Sequence, residues 1–250
     1  MPDADDRWSS IELHGHACHV FTPRNLNPHR YVLVYLHGVH LESLHDKREF
    51  LDQFEHYGFP VVCPQCGPTW WSDRVTPVFD PVISPYQYVT QHVRNYVQQR
   101  WSSGPPSIGL FGTSMGGQGA LRIAYRLPHL FPVVAAIAPA IDFQHRLDED
   151  DEILIEMYGD RETARQDTAT LHVHPLNWPR NQFFCCDPAD SRWFESAERL
   201  AMKLRALGVP FESDLNTTAG GHGFRYYRAM AEPTLRFLFE RLEQERKRVA

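Results

Sequence analysis

Short apolar runs recur along the chain, separated by longer stretches of helical periodicity. Ala17–Phe21, Tyr31–Leu36, Pro60–Cys63, Ile108–Phe111, Val133–Ala138 and Phe183–Cys186 read as strands. Most are barely interrupted by polar residues, the pattern of strands buried on both faces of a parallel sheet. Phe211–Leu215 alternates instead and reads as a strand near the sheet edge. Ser84-Pro85-Tyr86-Gln87 combines a capping box with proline at the first helical position, and predicts a helix to about Trp101, where Ser-Ser-Gly-Pro-Pro stops it. Trp193, Ala197, Leu200, Ala201 and Leu204 share one helical face, with Gly208 as the stop. Phe224–Arg248 is also helical in pattern, with a break or kink expected at Pro233. Alternating strands and helices predict an α/β fold with a parallel sheet covered on both sides.

Residues 67–84 and 141–181 do not fit this alternation. The first is rich in Pro, Trp and Asp; the second is charged, then rich in His and Pro. Long irregular connections in a compact domain are commonly functional loops. No composition shift marks a second domain, so residues 1–250 read as one domain with a lid-like insertion at 141–181.

Charge and cysteine content narrow the classes. A net charge of −6 opposes a nucleic-acid or anionic-membrane partner, which needs concentrated Lys and Arg. No apolar run is long enough to span a bilayer. The N-terminal Met-Pro-Asp-Ala-Asp-Asp lacks the basic start and apolar stretch of a signal peptide, from which a cytoplasmic location is expected. The five cysteines, Cys18, Cys63, Cys66, Cys185 and Cys186, do not suggest a disulfide scaffold. Cys63 and Cys66 have redox spacing but follow a strand rather than open a helix, so buried thiols are expected. No second Cys or His pair suggests a metal site.

The sharpest local feature is Gly112-Thr113-Ser114-Met115-Gly116, between the strand ending at Phe111 and a helix beginning with Gly117-Gln118-Gly119-Ala120-Leu121. The strand–turn–helix setting gives the pentapeptide its specificity. Glycines let the backbone approach closely in a tight turn, holding Ser114 out at the top of the sheet as a nucleophile. The Met115 N–H would lie at a helix N-terminus, where it can stabilise developing negative charge. A second oxyanion donor should follow an earlier strand, and Val39 N–H after His37-Gly38 is the candidate. His37 itself reads as a structural hydrogen-bonding residue.

Ser114 needs a base. His222, in Gly220-Gly221-His222-Gly223-Phe224, lies between the last strand and the final helix, where glycines free the loop to reach the serine. His172 and His174 are the fallbacks. The acid should lie between Ser114 and His222 in sequence. Asp187 ends a strand; Asp190 lies in the following turn and is favoured because a loop carboxylate reaches across more readily. Asp142 is a third option.

The order Leu36-His37-Gly38, Gly112–Gly116, Asp187-Pro188-Ala189-Asp190 and Gly221-His222 resembles the α/β-hydrolase esterases. Within them it resembles the esterase D or putative-esterase group, which includes S-formylglutathione hydrolases, feruloyl esterases and mycolyltransferases. Ser114–Ala120 is similar to that group's elbow, and the resemblance runs from about Tyr31 to Leu242. It implies an α/β-hydrolase fold, a mostly parallel central sheet with helices on both faces. It implies a serine hydrolase that cleaves a carboxylic ester or thioester through an acyl-enzyme, with no metal or organic cofactor. Its partner would be a small-molecule ester, leaving oligomeric state open. Thr69-Trp70-Trp71-Ser72-Asp73 resembles an aromatic segment beside the active site of these esterases, so Trp70 and Trp71 are candidates for substrate binding. Asp73 is expected to bond a neighbour such as Arg74. Two competing functions use the same residues differently. In an acyltransferase an alcohol would intercept the acyl-enzyme; in a non-catalytic hydrolase fold the cleft would only bind.

Overall fold

The computed structural model describes residues 7–249, so the acidic N-terminal hexapeptide lies outside the described residues. Its centre is an eight-stranded sheet: β1 (Trp8–Leu13), β2 (His16–Phe21), β3 (Val32–Leu36), β4 (Val61–Pro64), β5 (Ile108–Thr113), β6 (Val133–Ile137), β7 (Asn181–Cys185) and β8 (Glu212–Asp214). The spatial order is β1-β2-β4-β3-β5-β6-β7-β8. From β4 to β8 every neighbouring pair is parallel; β1 and β2 join antiparallel.

The apolar runs become the central strands because both faces are covered: every residue of β3, β5, β6 and β7 is buried. Residues alternate between faces along β5. A Cβ on Gly109 would touch Leu33, Leu238 and Leu242, whereas one on Gly112 would strike Gly116. One face therefore carries α9 (Ala231–Val249), with α1 (Arg48–Tyr57) beside it; the other carries α4 (Met115–Arg126). β8 pairs only with β7, as expected of an edge strand. The sequence pattern did not single out β1. Its Ser9, Ser10 and Glu12 are exposed, and it takes its geometry from the hairpin with β2.

The capping box forms in full. Ser84 Oγ accepts from Gln87 N at 3.1 Å, and Gln87 Oε1 accepts from Ser84 N at 3.0 Å. The helix it opens is not uniform: α2 (Pro85–Gln87) passes through a π-helical stretch, Tyr88–Val93, into α3 (Arg94–Trp101). α7 (Phe194–Leu207) stops at Gly208 as its sequence predicts, whereas the C-terminal break departs from expectation. α8 (Phe224–Ala229) ends before Met230, and Pro233 sits in the first turn of α9. There its missing N–H has no intrahelical partner to lose, so the proline begins a helix rather than breaking one.

The 141–181 segment is more ordered than its composition suggests. It contains a 3₁₀ stretch, Phe143–Glu149, then α5 (Glu152–Tyr158), α6 (Arg161–Gln166) and a 3₁₀ turn, Ala169–His172. Asp151 and Asp160 cap α5 and α6 by accepting from Leu154 N at 3.2 Å and Thr163 N at 2.8 Å. Buried Arg122 of α4 pairs with Asp167, tying this segment to the sheet-covering layer. All five cysteines are buried and free, and burial pushes the Cys18 and Cys185 thiols up to about 12. Among the described residues no helix is long and apolar enough to cross a membrane.

Candidate active site

The turn after β5 brings chain segments together at distances only glycine permits. A Cβ on Gly116 would lie 1.9 Å from Leu36 O, and one on Gly112 would lie 2.3 Å from the Gly116 backbone. Ser114, squeezed between them, has φ 54° and ψ −119°, a sparsely populated conformation for a residue with a side chain. Its amide donates to Ile137 O at 3.0 Å and its carbonyl accepts from Ala140 N at 3.0 Å, so β6 and its following loop hold the turn. The hydroxyl is left facing a cavity, and Met115 begins α4 immediately behind it.

His222 comes from the loop between β8 and α8. Gly220, Gly221 and Gly223 flank it at positive φ, of 98°, 77° and 142°. Its Nε2 lies 2.8 Å from Ser114 Oγ and its Nδ1 lies 2.6 Å from Asp190 Oδ2. Asp190 is almost wholly buried, and its other oxygen accepts from Trp193 N at 3.1 Å and Arg192 N at 3.2 Å. Burial alone would raise this carboxyl. The His222 hydrogen bond and charge, with the two amides, outweigh burial and hold it below the usual carboxylate range. An ionised Asp190 can only accept, so in the neutral imidazole the proton lies on Nδ1 and the lone pair on Nε2.

Asp187 occupies a different place. Its carboxylate accepts from Ala189 N at 2.7 Å, Ala219 N at 2.7 Å and Gly221 N at 2.8 Å. It thus anchors the loop that carries His222 without touching the imidazole. Burial would raise its carboxyl, but these amides outweigh burial and hold it low. The remaining candidates are engaged elsewhere. Asp142 pairs with Arg199, His172 Nε2 lies 3.0 Å from Asp167, and His174 Nδ1 accepts from Leu176 N at 3.1 Å.

His37 is buried beneath the site. Its Nδ1–H donates to Gly38 O at 2.9 Å while Nε2 accepts from Cys66 N at 3.2 Å. Burial, only partly opposed by the Gly38 bond, pushes it down to about 4, so the ring is neutral. Leu41 N also donates to Gly38 O, at 3.0 Å. In a trans peptide the N–H opposes the C=O. Two donors on the Gly38 carbonyl therefore fix the direction of the Val39 N–H, and Val39 lines the cavity.

That cavity holds about 190 Å³. Val39, Trp70, Trp193, Phe224 and Tyr227 supply apolar wall, and Glu42, Arg146 and Arg192 contribute charge. The two arginines are already paired, Arg146 with Asp151 at 3.2 Å and Arg192 with Glu149. The 141–181 segment reaches the site through Arg146 and through Phe143, which stacks on Trp70 with ring centroids 5.0 Å apart. Trp71 does not line the cavity. It is fully buried, its Nε1 donates to His37 O at 3.1 Å, and a Cβ on Gly119 would lie 2.5 Å from its own Cβ. Asp73 bonds Ser84 Oγ at 2.9 Å and Arg126 at 3.1 Å, rather than the neighbouring Arg74. Tyr227, whose hydroxyl lies 2.9 Å from His222 Nε2, was not singled out from the sequence. Tyr226 and Tyr227 are adjacent, and nothing in the linear order says which one faces the serine. Among the described residues no group of three or more His, Cys, Asp or Glu side chains is arranged to hold a metal ion.

Several solved structures share this architecture. An S-formylglutathione hydrolase from Agrobacterium tumefaciens superposes with a TM-score of 0.76 at 21% identity, covering 94% of each chain. The fluorophosphonate-binding serine hydrolase FphF of Staphylococcus aureus gives 0.75 at 15% identity, covering 93% of this chain and 98% of its own. A ferulic acid esterase gives 0.71 at 15% identity, covering 94% and 97%. The fold is that of the α/β-hydrolases. No curated protein matches the chain. The family model described as "Putative esterase" matches residues 20–230, and with that match over most of its length the chain belongs to this family of ester hydrolases.

Proposed function

We propose that the protein hydrolyses a small carboxylic ester or thioester through an acyl-enzyme on Ser114, with His222 as base and Asp190 as the acid that orients it. The observation that carries this reading is the continuous hydrogen-bond chain from Ser114 Oγ through His222 to buried Asp190. His222 Nε2 takes the serine proton as Oγ attacks the carbonyl carbon. The amides of Met115 and Val39 receive the oxyanion, aided by the α4 N-terminus and by the fixed Gly38 carbonyl. Asp190, kept ionised, stabilises the imidazolium. Water then repeats the sequence and frees Ser114.

Substrate size follows from the cavity. A volume of about 190 Å³ lies below the range typical of pockets for drug-sized ligands, which favours a short acyl group beside Trp70 over a bulky one. Trp71 supports the site from beneath through His37 rather than through substrate. The test is fluorophosphonate labelling together with hydrolysis of p-nitrophenyl acetate. Wild-type protein should label on Ser114, and Ser114→Ala should lose labelling and about a millionfold in rate while its melting temperature barely moves. Retention of a tenth of the rate in Ser114→Ala would overturn the reading.

A further inference from the structure

Tyr227 stands beside the imidazole nitrogen that meets the serine hydroxyl. It lies in α8, five residues after His222, and is almost completely buried, yet it contributes to the cavity wall. Its hydroxyl is 2.9 Å from His222 Nε2, close to the 2.8 Å that separates the same nitrogen from Ser114 Oγ. The tyrosine ring meets the imidazole edge-on, at 88°. Two hydroxyls thus converge on one ring nitrogen, whose single in-plane lone pair can accept fully from only one of them. A purely packing residue would need no hydroxyl here, since phenylalanine keeps the same edge contact.

Resting on the serine mechanism above, we propose that Tyr227 is a catalytic residue, its hydroxyl relaying the His222 proton to the leaving-group heteroatom. In the free enzyme Ser114 Oγ–H donates to Nε2. Attack forms the Oγ–carbon bond, opens the carbonyl π bond to an oxyanion, and moves the serine proton to Nε2. On collapse the carbon–leaving-group bond breaks and its electron pair goes to the departing oxygen or sulfur. That atom takes the Tyr227 proton while the Tyr227 oxygen takes the proton from Nε2. Acyl-serine, neutral imidazole, neutral phenol and protonated leaving group result, so atoms and charge balance. Burial drives the phenol well above its ordinary range, opposed only in part by its hydrogen-bonding contact with Ser114, so it starts each cycle protonated. A proton passed through the tyrosine oxygen reaches a leaving group lying on the Tyr227 side of the imidazole, without the ring having to swing away from Asp190.

The test is Tyr227→Phe against acetate esters with one acyl group and leaving groups from p-nitrophenol to ethanol. kcat/KM is read because it reports acylation. Proton donation matters most for poor leaving groups. The variant should lose several-fold on p-nitrophenyl acetate and about tenfold more than that on ethyl acetate, giving a steeper dependence on leaving-group pKa. The wild-type proton inventory on ethyl acetate should show two protons in flight, and the variant's one. An equal loss across the series, or a one-proton inventory in the wild type, would overturn the relay. Either result with Ser114→Ala still inactive would leave the serine mechanism standing; activity in Ser114→Ala would remove both.

Discussion

Asp187 and Asp190 are two carboxylates three positions apart, both buried and both held low by hydrogen bonds, yet they face different partners. Asp187 accepts three backbone amides, two of them from the loop bearing His222; Asp190 accepts from the imidazole itself. Substitution should separate them. Asp190→Asn keeps the shape but removes the charge that favours imidazolium and the acceptor that sets the tautomer, a change that costs about ten thousandfold in the Ser-His-Asp template. Asp187→Asn should cost at least about a hundredfold less in kcat/KM, equivalent to about 2.7 kcal/mol. It should instead lower the melting temperature, because an amide cannot replace a carboxylate that accepts from several N–H groups. Rates and melting curves on both variants check this, and the reverse ranking would make Asp187 the acid.

At the scale of elements, the site depends on how closely α4 is set against β3. The turn can hold Ser114 outward because Gly116 lets the helix start almost on top of Leu36. A methyl group there would overlap Leu36 O, and backbone cannot move aside as a side chain would. Gly116→Ala should therefore destabilise by about 3 kcal/mol through overpacking. In a chain of this size that is about 6–12 °C in melting temperature. Fluorophosphonate labelling of Ser114 should fall sharply even in protein that remains folded, since the elbow must shift. Thermal melts and labelling on the same preparation test this, and unchanged labelling would mean that the elbow tolerates the displacement.

For the whole molecule, the 141–181 segment is attached by charge as well as by packing. Arg122 of α4 is almost entirely buried and pairs with Asp167, which also accepts from Tyr158 at 2.8 Å and contacts His172 at 3.0 Å. Burial would raise the Asp167 carboxyl, but His172 and Arg122 outweigh it and lower it from 3.8 to about 2. A depressed carboxyl stabilises the fold above its unfolded value and loses that contribution as pH falls through the folded one. Asp167→Asn should cost about 3–5 kcal/mol at neutral pH, because it leaves Arg122 buried without its counter-charge. The gap from wild type should narrow by about 2 kcal/mol between pH 5 and pH 2. Urea unfolding across that range measures it, and a gap independent of pH would show that the carboxylate's charge does not hold this segment.

The sheet was legible in the chain because its central strands are buried on both faces and must be apolar throughout; Tyr31–Leu36 and Val133–Ala138 allow little else. β1 was not, because an exposed edge strand needs no such run. The elbow around Ser114 was legible because the turn demands small residues at fixed spacing on either side of it. The capping box at Ser84 was legible because both its hydrogen bonds are local. Proximity across the fold was not. Asp187 and Asp190 are equivalent in linear order, and only the path of the loop after β7 brings one to His222 and gives the other the loop's amides. Trp70 and Trp71 are chemically identical neighbours, and their backbone directions send one to the cavity and the other beneath His37. Tyr227 meets His222 only because α8 turns back over the serine after the glycine-rich loop. The chain order thus determined which chemistries were present. The tertiary structure decided which of them share one nitrogen, because that depends on distances set by segments more than a hundred residues apart.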